Sequence, residues 1–181
     1  MKRLTLILLA GIALILVASC ASDQVSGLPD FVLNPPVASD AIFGVGYGKQ
    51  STFALSRTVA QTNARADIAK QVETTIQSAV ISYAQEAGVD GDTQTIQFLE
   101  TVTKEITDQT LSGATPVRME QDKDGGVWVL MQYPKQALLD AAEDSFVRNE
   151  GAAFAEFKAA QAVDRLNHEL ENNPPQSEPV R

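Results

Sequence analysis

A single cysteine, Cys20, serves the whole 181-residue chain. No disulfide can close within such a chain, and no group of thiolates can grip a metal. Whatever the chain folds into must hold together without a covalent crosslink or a thiolate-bound metal, chiefly through buried apolar surface. With 44% of its residues hydrophobic, it has enough of that surface for one compact domain.

The position of the cysteine is as informative as its solitude. Lys2 and Arg3 give a positive start, residues 4–17 are apolar, and Ala18 and Ser19 are small. An apolar helix of about 14 residues rises about 21 Å, short of the roughly 30 Å hydrocarbon layer, which suits an export signal better than a permanent span. Val17-Ala18-Ser19-Cys20 resembles a lipobox, in which small residues enter a narrow protease site and the thiol takes a diacylglycerol. The expectation is a lipoprotein signal peptide over 1–19, removed before Cys20, and a lipidated flexible spacer over 20–29. The resemblance implies a diacylglyceryl group plus an N-acyl chain such as palmitate, and two or more chains hold a protein stably to a membrane. Ala21 stands where aspartate commonly marks retention at the inner membrane. By that analogy the destination is the outer membrane, with the domain facing the periplasm or the surface.

Charge narrows the partners. Against 14 basic residues stand 23 acidic ones, a net charge of −9, and loss of Lys2 and Arg3 makes the remainder more acidic still. Such a chain repels nucleic acid and has no polybasic face for anionic lipid.

Beyond the spacer, residues 41–48 read as a short strand ending in glycines. Ser51 or Thr52 can cap a helix running to about residue 86, with Leu55, Val59, Ala66, Ala69, Val72, Ile76, Val80 and Tyr83 expected on its apolar face. A second helix is predicted over 92–111, its inner side formed by Ile96, Leu99, Val102 and Ile106. Strands at 115–121 and 127–133 flank the glycine-rich turn 122–126, a β-hairpin pattern. Pro134 can then open a third helix, with Ala137, Leu138 and Ala141 inward. That helix is expected to continue through Phe146, Phe154 and Phe157 to about residue 171, with 149–151 as its one point of interruption. The order is β-α-α-β-β-α: an α+β domain over 30–171, with a small, mainly antiparallel sheet packed against long helices. Residues 172–181 lack apolar content and are expected to form a disordered tail.

A proline-aromatic lead-in (Pro29, Phe31), the strand Ile42-Phe43-Gly44-Val45-Gly46-Tyr47-Gly48, the helix carrying Ala60, Ala64, Arg65, Ile68, Ala69 and Val72, and the late hairpin with Gly125, Gly126 and Trp128 occur in this order. Together they resemble the LPP-twenty family of small bacterial outer-membrane lipoproteins. The resemblance implies a fold similar to the N-terminal domain of a flagellar ring-assembly protein. It implies no enzymatic activity.

Candidate chemistry is sparse. Gly44, Gly46 and Gly48 ahead of a helix invite comparison with a phosphate cradle. They lack the third glycine spacing of a dinucleotide fingerprint and the lysine of a P-loop, so close packing of strand under helix is the better reading. Glu120, Asp122, Asp124 and Gly125 fail as a calcium loop, because an EF-hand register puts Met131 where the bidentate carboxylate belongs. His168, the only histidine, has no second histidine or thiol to share a metal, and no nucleophile elbow accompanies it. Trp128 and Tyr133, an odd number of residues apart on one strand, point to opposite faces. Trp128 reads first as core and second as a candidate partner contact. The expected function is non-catalytic: a lipid-anchored binding or assembly module meeting an envelope protein or its own copies, with no cofactor and no metal. The alternatives are an envelope hydrolase acting on peptidoglycan or glycans through paired carboxylates, and a carrier with an apolar cavity.

Overall fold

The computed structural model describes residues 28–177 apart from Asp90. The expected signal peptide, the expected lipobox residues Val17, Ala18 and Ser19, Cys20, most of the expected spacer and the end of the expected tail lie outside the described residues. A one-turn helix, α1 (Asp30–Leu33), precedes β1 (Ala41–Gly48), α2 (Phe53–Ala87), α3 (Thr93–Gly113), β2 (Thr115–Gln121), β3 (Val127–Pro134), α4 (Lys135–Asn149), a 3-10 turn (Glu150–Ala152) and α5 (Ala159–Asn172). The strands form one antiparallel sheet in the order β1-β3-β2. This is the α+β architecture and element order that the sequence predicts.

β3 is the middle strand and is buried on both faces. Val127, Val129, Met131 and Tyr133 join the main core under the helices, whereas Trp128 and Leu130 form a smaller cluster with Phe31 and Val32 of α1 on the other face. The two-residue period of a strand accounts for the split. β1 alternates in the same way: Ile42, Gly44, Gly46 and Gly48 face α2, and Phe43, Val45 and Tyr47 pack toward Trp128.

The glycines decide how α2 lies. A Cβ on Gly46 would collide with Ala60 O and Ala64 N, one on Gly48 with Ser56 O, and one on Gly44 with Ala64 O. The helix backbone rests directly on the strand backbone, which is possible only with glycine below and small side chains above. Accordingly the buried stripe in the first half of α2 is Ser56, Ala60, Ala64 and Ile68. This corrects the expected apolar face. Leu55 is 51% exposed, Ala66 is exposed and Val59 is half-buried. Their side chains are too bulky for, or turned away from, a contact made by backbone. From Ala69 through Val72, Ile76, Val80 and Tyr83 the expected face is the buried one, because here α2 meets helices rather than glycines. Thr52 caps the start, its hydroxyl accepting from Leu55 N at 3.3 Å. Gly88, at φ 74°, ends the helix in the left-handed conformation.

α3 needs a similar correction. Ile96 is 47% exposed and Leu99 only half-buried, while Phe98 joins Val102 and Ile106 inside. Phe98 is claimed by an aromatic cluster with Phe146, Phe154 and Phe157, its ring centroid 4.5 Å from that of Phe157. The same cluster explains why the last helix is interrupted. Between the 3-10 turn and α5 the chain leaves helical geometry, which turns Phe154 and Phe157 into the core at 5% and 1% exposure. Tyr83 joins them, its hydroxyl 2.8 Å from Gln161 Oε1 and accepting from Lys158 N at 3.2 Å. Of the expected tail, residues 173–177 return to α2, and Ser177 is 7% exposed. Its hydroxyl donates to Phe43 O at 2.9 Å, so polarity did not prevent docking there.

Candidate interaction surfaces

A three-stranded sheet has two edges, and here they are treated differently. The outer edge of β1 is closed by side chains of α2. Asn63 Nδ2 donates to Tyr47 O at 2.7 Å, Asp67 Oδ2 accepts from Val45 N at 3.0 Å, and Gln71 Nε2 donates to Phe43 O at 2.9 Å. Four residues of helix rise about 6 Å and two residues of strand span about 6.7 Å, so the two ladders stay in step. Free strand groups that would otherwise invite pairing are thereby satisfied. The sequence reading passed over these three residues. Their signal was present as polar side chains at every fourth position of a helix that follows a Gly-x-Gly-x-Gly strand.

β2 is the other edge, and among the described residues nothing comparable covers it. Its residues are exposed on both faces except for partial cover at Glu120. Val117 and Met119 are 46% and 44% exposed. Arg118 lies 5.6 Å over the Phe31 ring and pairs with Glu120 at 3.0 Å. The register shifts between Pro116 and Arg118, after which Arg118 through Gln121 pair regularly with β3.

At the hairpin, Asp122 works as an organiser. Its Oδ1 accepts from Asp124 N at 2.9 Å and Gly126 N at 2.7 Å, and its Oδ2 accepts from the Tyr47 hydroxyl at 2.9 Å. Burial pushes the Asp122 carboxyl up. The hydrogen bonds from Gly126, Tyr47 and Asp124 and the nearby Lys49 outweigh that and hold it below its ordinary 3.8. Burial and the bond to Asp122 push the Tyr47 hydroxyl above its ordinary 10.0. Gly125, at φ 82°, supplies the turn. Trp128 is 7% exposed, with its ring centroid 4.5 Å from that of Tyr47. Its surface is used inside the chain, which leaves little of it for a partner.

Clefts open on the helices, and the acids of the first are engaged, whereas Glu100 and Asp108 line another between α2 and α3 without a side-chain partner among the described residues. The first, of about 300 Å³, lies between α2 and the returning 173–177 segment and includes Asp67 and Glu169. Asp67 holds the β1 edge, and Glu169 accepts from Ser78 Oγ and Asn173 Nδ2, each at 3.1 Å. His168 is exposed and lines a second depression with Tyr83, Glu86, Asp164 and Arg165, where Arg165 pairs with Glu86. Glu105 gathers Ser145, Arg148 and Asn149 at 2.7, 2.9 and 3.1 Å, tying α3 to α4. Among the described residues, no group of three or more His, Cys, Asp or Glu is placed to hold a metal ion. Nor is any described helix long and apolar enough to cross a membrane.

Comparison with curated proteins and with solved structures finds no match. A family model described as LPP20 lipoprotein matches residues 29–133. The match opens just ahead of α1 and closes in β3, taking in the glycine strand, the helix packed on it, α3 and the hairpin, and it stops before α4. It spans more than half of the chain and all but the last residue of the sheet. The chain belongs to the LPP20 lipoprotein family, and with that membership it is an envelope lipoprotein.

Proposed function

We propose that the mature chain is lipidated at Cys20, sits on the outer membrane facing the periplasm or the surface, and acts there as a non-catalytic binding or assembly module. The observation that supports this reading most is the unequal treatment of the two sheet edges. One is closed by a dedicated ladder of Asn63, Asp67 and Gln71, and the other leaves Val117 and Met119 bare. The acids of the cleft between α2 and the 173–177 segment also favour it, since Asp67 and Glu169 are occupied with holding backbone and neighbours. A lipid anchor adds to such a role by confining the domain to a surface, which raises the effective concentration of membrane-bound partners.

The test has two arms. Radiolabelled palmitate should be incorporated into the chain and lost in Cys20→Ser; a mature N-terminus without lipid would overturn the anchoring. In intact envelopes, crosslinking should trap the protein in a defined complex, and Met119→Asp should abolish the complex without changing thermal melting. A monodisperse monomer that turns over a peptidoglycan or glycan substrate, with activity lost in Asp67→Asn or Glu169→Gln, would overturn the assembly reading in favour of a hydrolase.

A further inference from the structure

We propose that the occupant of the open edge is a second copy of the same chain: β2 pairs antiparallel with β2 of its neighbour, about a two-fold axis through Met119 and perpendicular to the sheet. This rests on the assembly reading above and names its partner. Among the described residues β2 is the edge through which the sheet can extend, because the β1 edge is consumed by Asn63, Asp67, Gln71 and Ser177. β2 itself is paired on one side only, with β3, and stands exposed on both faces.

Charge chooses both the partner and the register. A two-fold axis perpendicular to the sheet keeps each residue on its own face, so residues of like parity must oppose one another. A register centred on Arg118 would set Arg118 against Arg118, and one centred on Glu120 would set Glu120 against Glu120. Like charges directly opposite are destabilising. Centring on Met119 instead opposes Arg118 of each copy to Glu120 of the other, giving two symmetric ion pairs on the face where Arg118 and Glu120 already meet within one chain at 3.0 Å. The two Met119 side chains, 44% exposed alone, then cover one another on the opposite face. The irregularity between Pro116 and Arg118 falls at the end of the paired run, where it costs no central hydrogen bond. The result is one continuous sheet through both copies, with the helices on the same side.

The experiment uses the full lipoprotein in its own membrane. Because Cys20 carries lipid in the mature form, Met119→Cys introduces the one free thiol, and the symmetric register places it opposite itself. Mild oxidation is expected to yield a disulfide-linked dimer, whereas Thr74→Cys, on the exposed side of α2, should yield none. In the Met119→Cys background, Arg118→Glu and Glu120→Arg should each lower the dimer yield by roughly tenfold, since each sets like charges opposite in both pairs. Both variants also lose the ion pair within the chain. Co-expressing the two with different tags should restore a mixed dimer. One strand then carries acids at both positions and the other carries bases at both, so the two complement one another twice. Thermal melting of each variant shows whether it folds. A Met119→Cys dimer yield no higher than that of Thr74→Cys would overturn the proposal, and so would a mixed pair that crosslinks no better than either variant alone. Capture of a different envelope protein at Met119→Cys would overturn self-pairing but leave the assembly reading standing, which only substrate turnover would remove.

Discussion

Replacing Gly46 by alanine adds one methyl group at the point where β1 and α2 touch backbone to backbone. Its Cβ would meet Ala60 O and Ala64 N in collision, and Ala64 Cα at 2.9 Å. Carbon atoms rest at about 3.5–4.0 Å, so α2 must withdraw by roughly 1 Å. The ladder from Asn63, Asp67 and Gln71, now at 2.7, 3.0 and 2.9 Å, would then stretch beyond hydrogen-bonding distance. Three bonds at about 1 kcal/mol each, with an overpacking cost of about 1–3 kcal/mol, give a loss of about 4–6 kcal/mol. For a domain of this size that is a fall in Tm of roughly 15 °C. Thermal unfolding followed by circular dichroism, on a chain beginning at Leu28, measures it. Gly151→Ala is the control: a Cβ there meets nothing within 4 Å, and its effect should stay within about 0.5 kcal/mol. If the two variants melt alike, the backbone contact does not hold the helix to the sheet.

Val72→Asp should unfold the domain or cost upwards of about 4 kcal/mol, since the site is 0% exposed, whereas Leu55→Asp, at 51% exposed, should leave melting nearly unchanged. Equal effects would restore the apolar face expected from sequence. Ending the chain at Asn172 removes the Ser177 hydroxyl from Phe43 O and Gln71, and should cost about 1–2 kcal/mol in denaturant titration. An unchanged midpoint would show the docked segment to be idle. Asp122 has a depressed carboxyl, so its contribution is present above the unfolded value of 3.8 and is lost as pH falls through the lower folded value. The melting gap between wild type and Asp122→Asn should therefore be steady near neutrality and close only below that pH. A gap that persists unchanged to about pH 2 would mean that the carboxylate charge is not what the hairpin uses.

The amino-acid pattern by itself settled the element order, the hairpin and the opposite facing of Trp128 and Tyr133, because each is written in local periods and turn residues. The run 115–121, the turn after it and the strand opened by Val127 are all matters of neighbouring residues. So is the preference of Gly44, Gly46 and Gly48 for close packing over phosphate. What the pattern could not supply was the face that α2 presents. Apolarity favoured Leu55 and Val59, but the partner surface is a strand without side chains, and against it smallness counts for more than hydrophobicity. Nor could it supply the roles of Asn63, Asp67, Gln71 and Ser177. Each is polar in an unremarkable way until tertiary structure brings an unpaired strand edge within 3 Å of the first three and of Ser177. The open edge at β2 is legible only by contrast with that closed one. Which strand lies outermost is a property of the sheet order, and the sheet order comes from contacts between residues far apart along the chain.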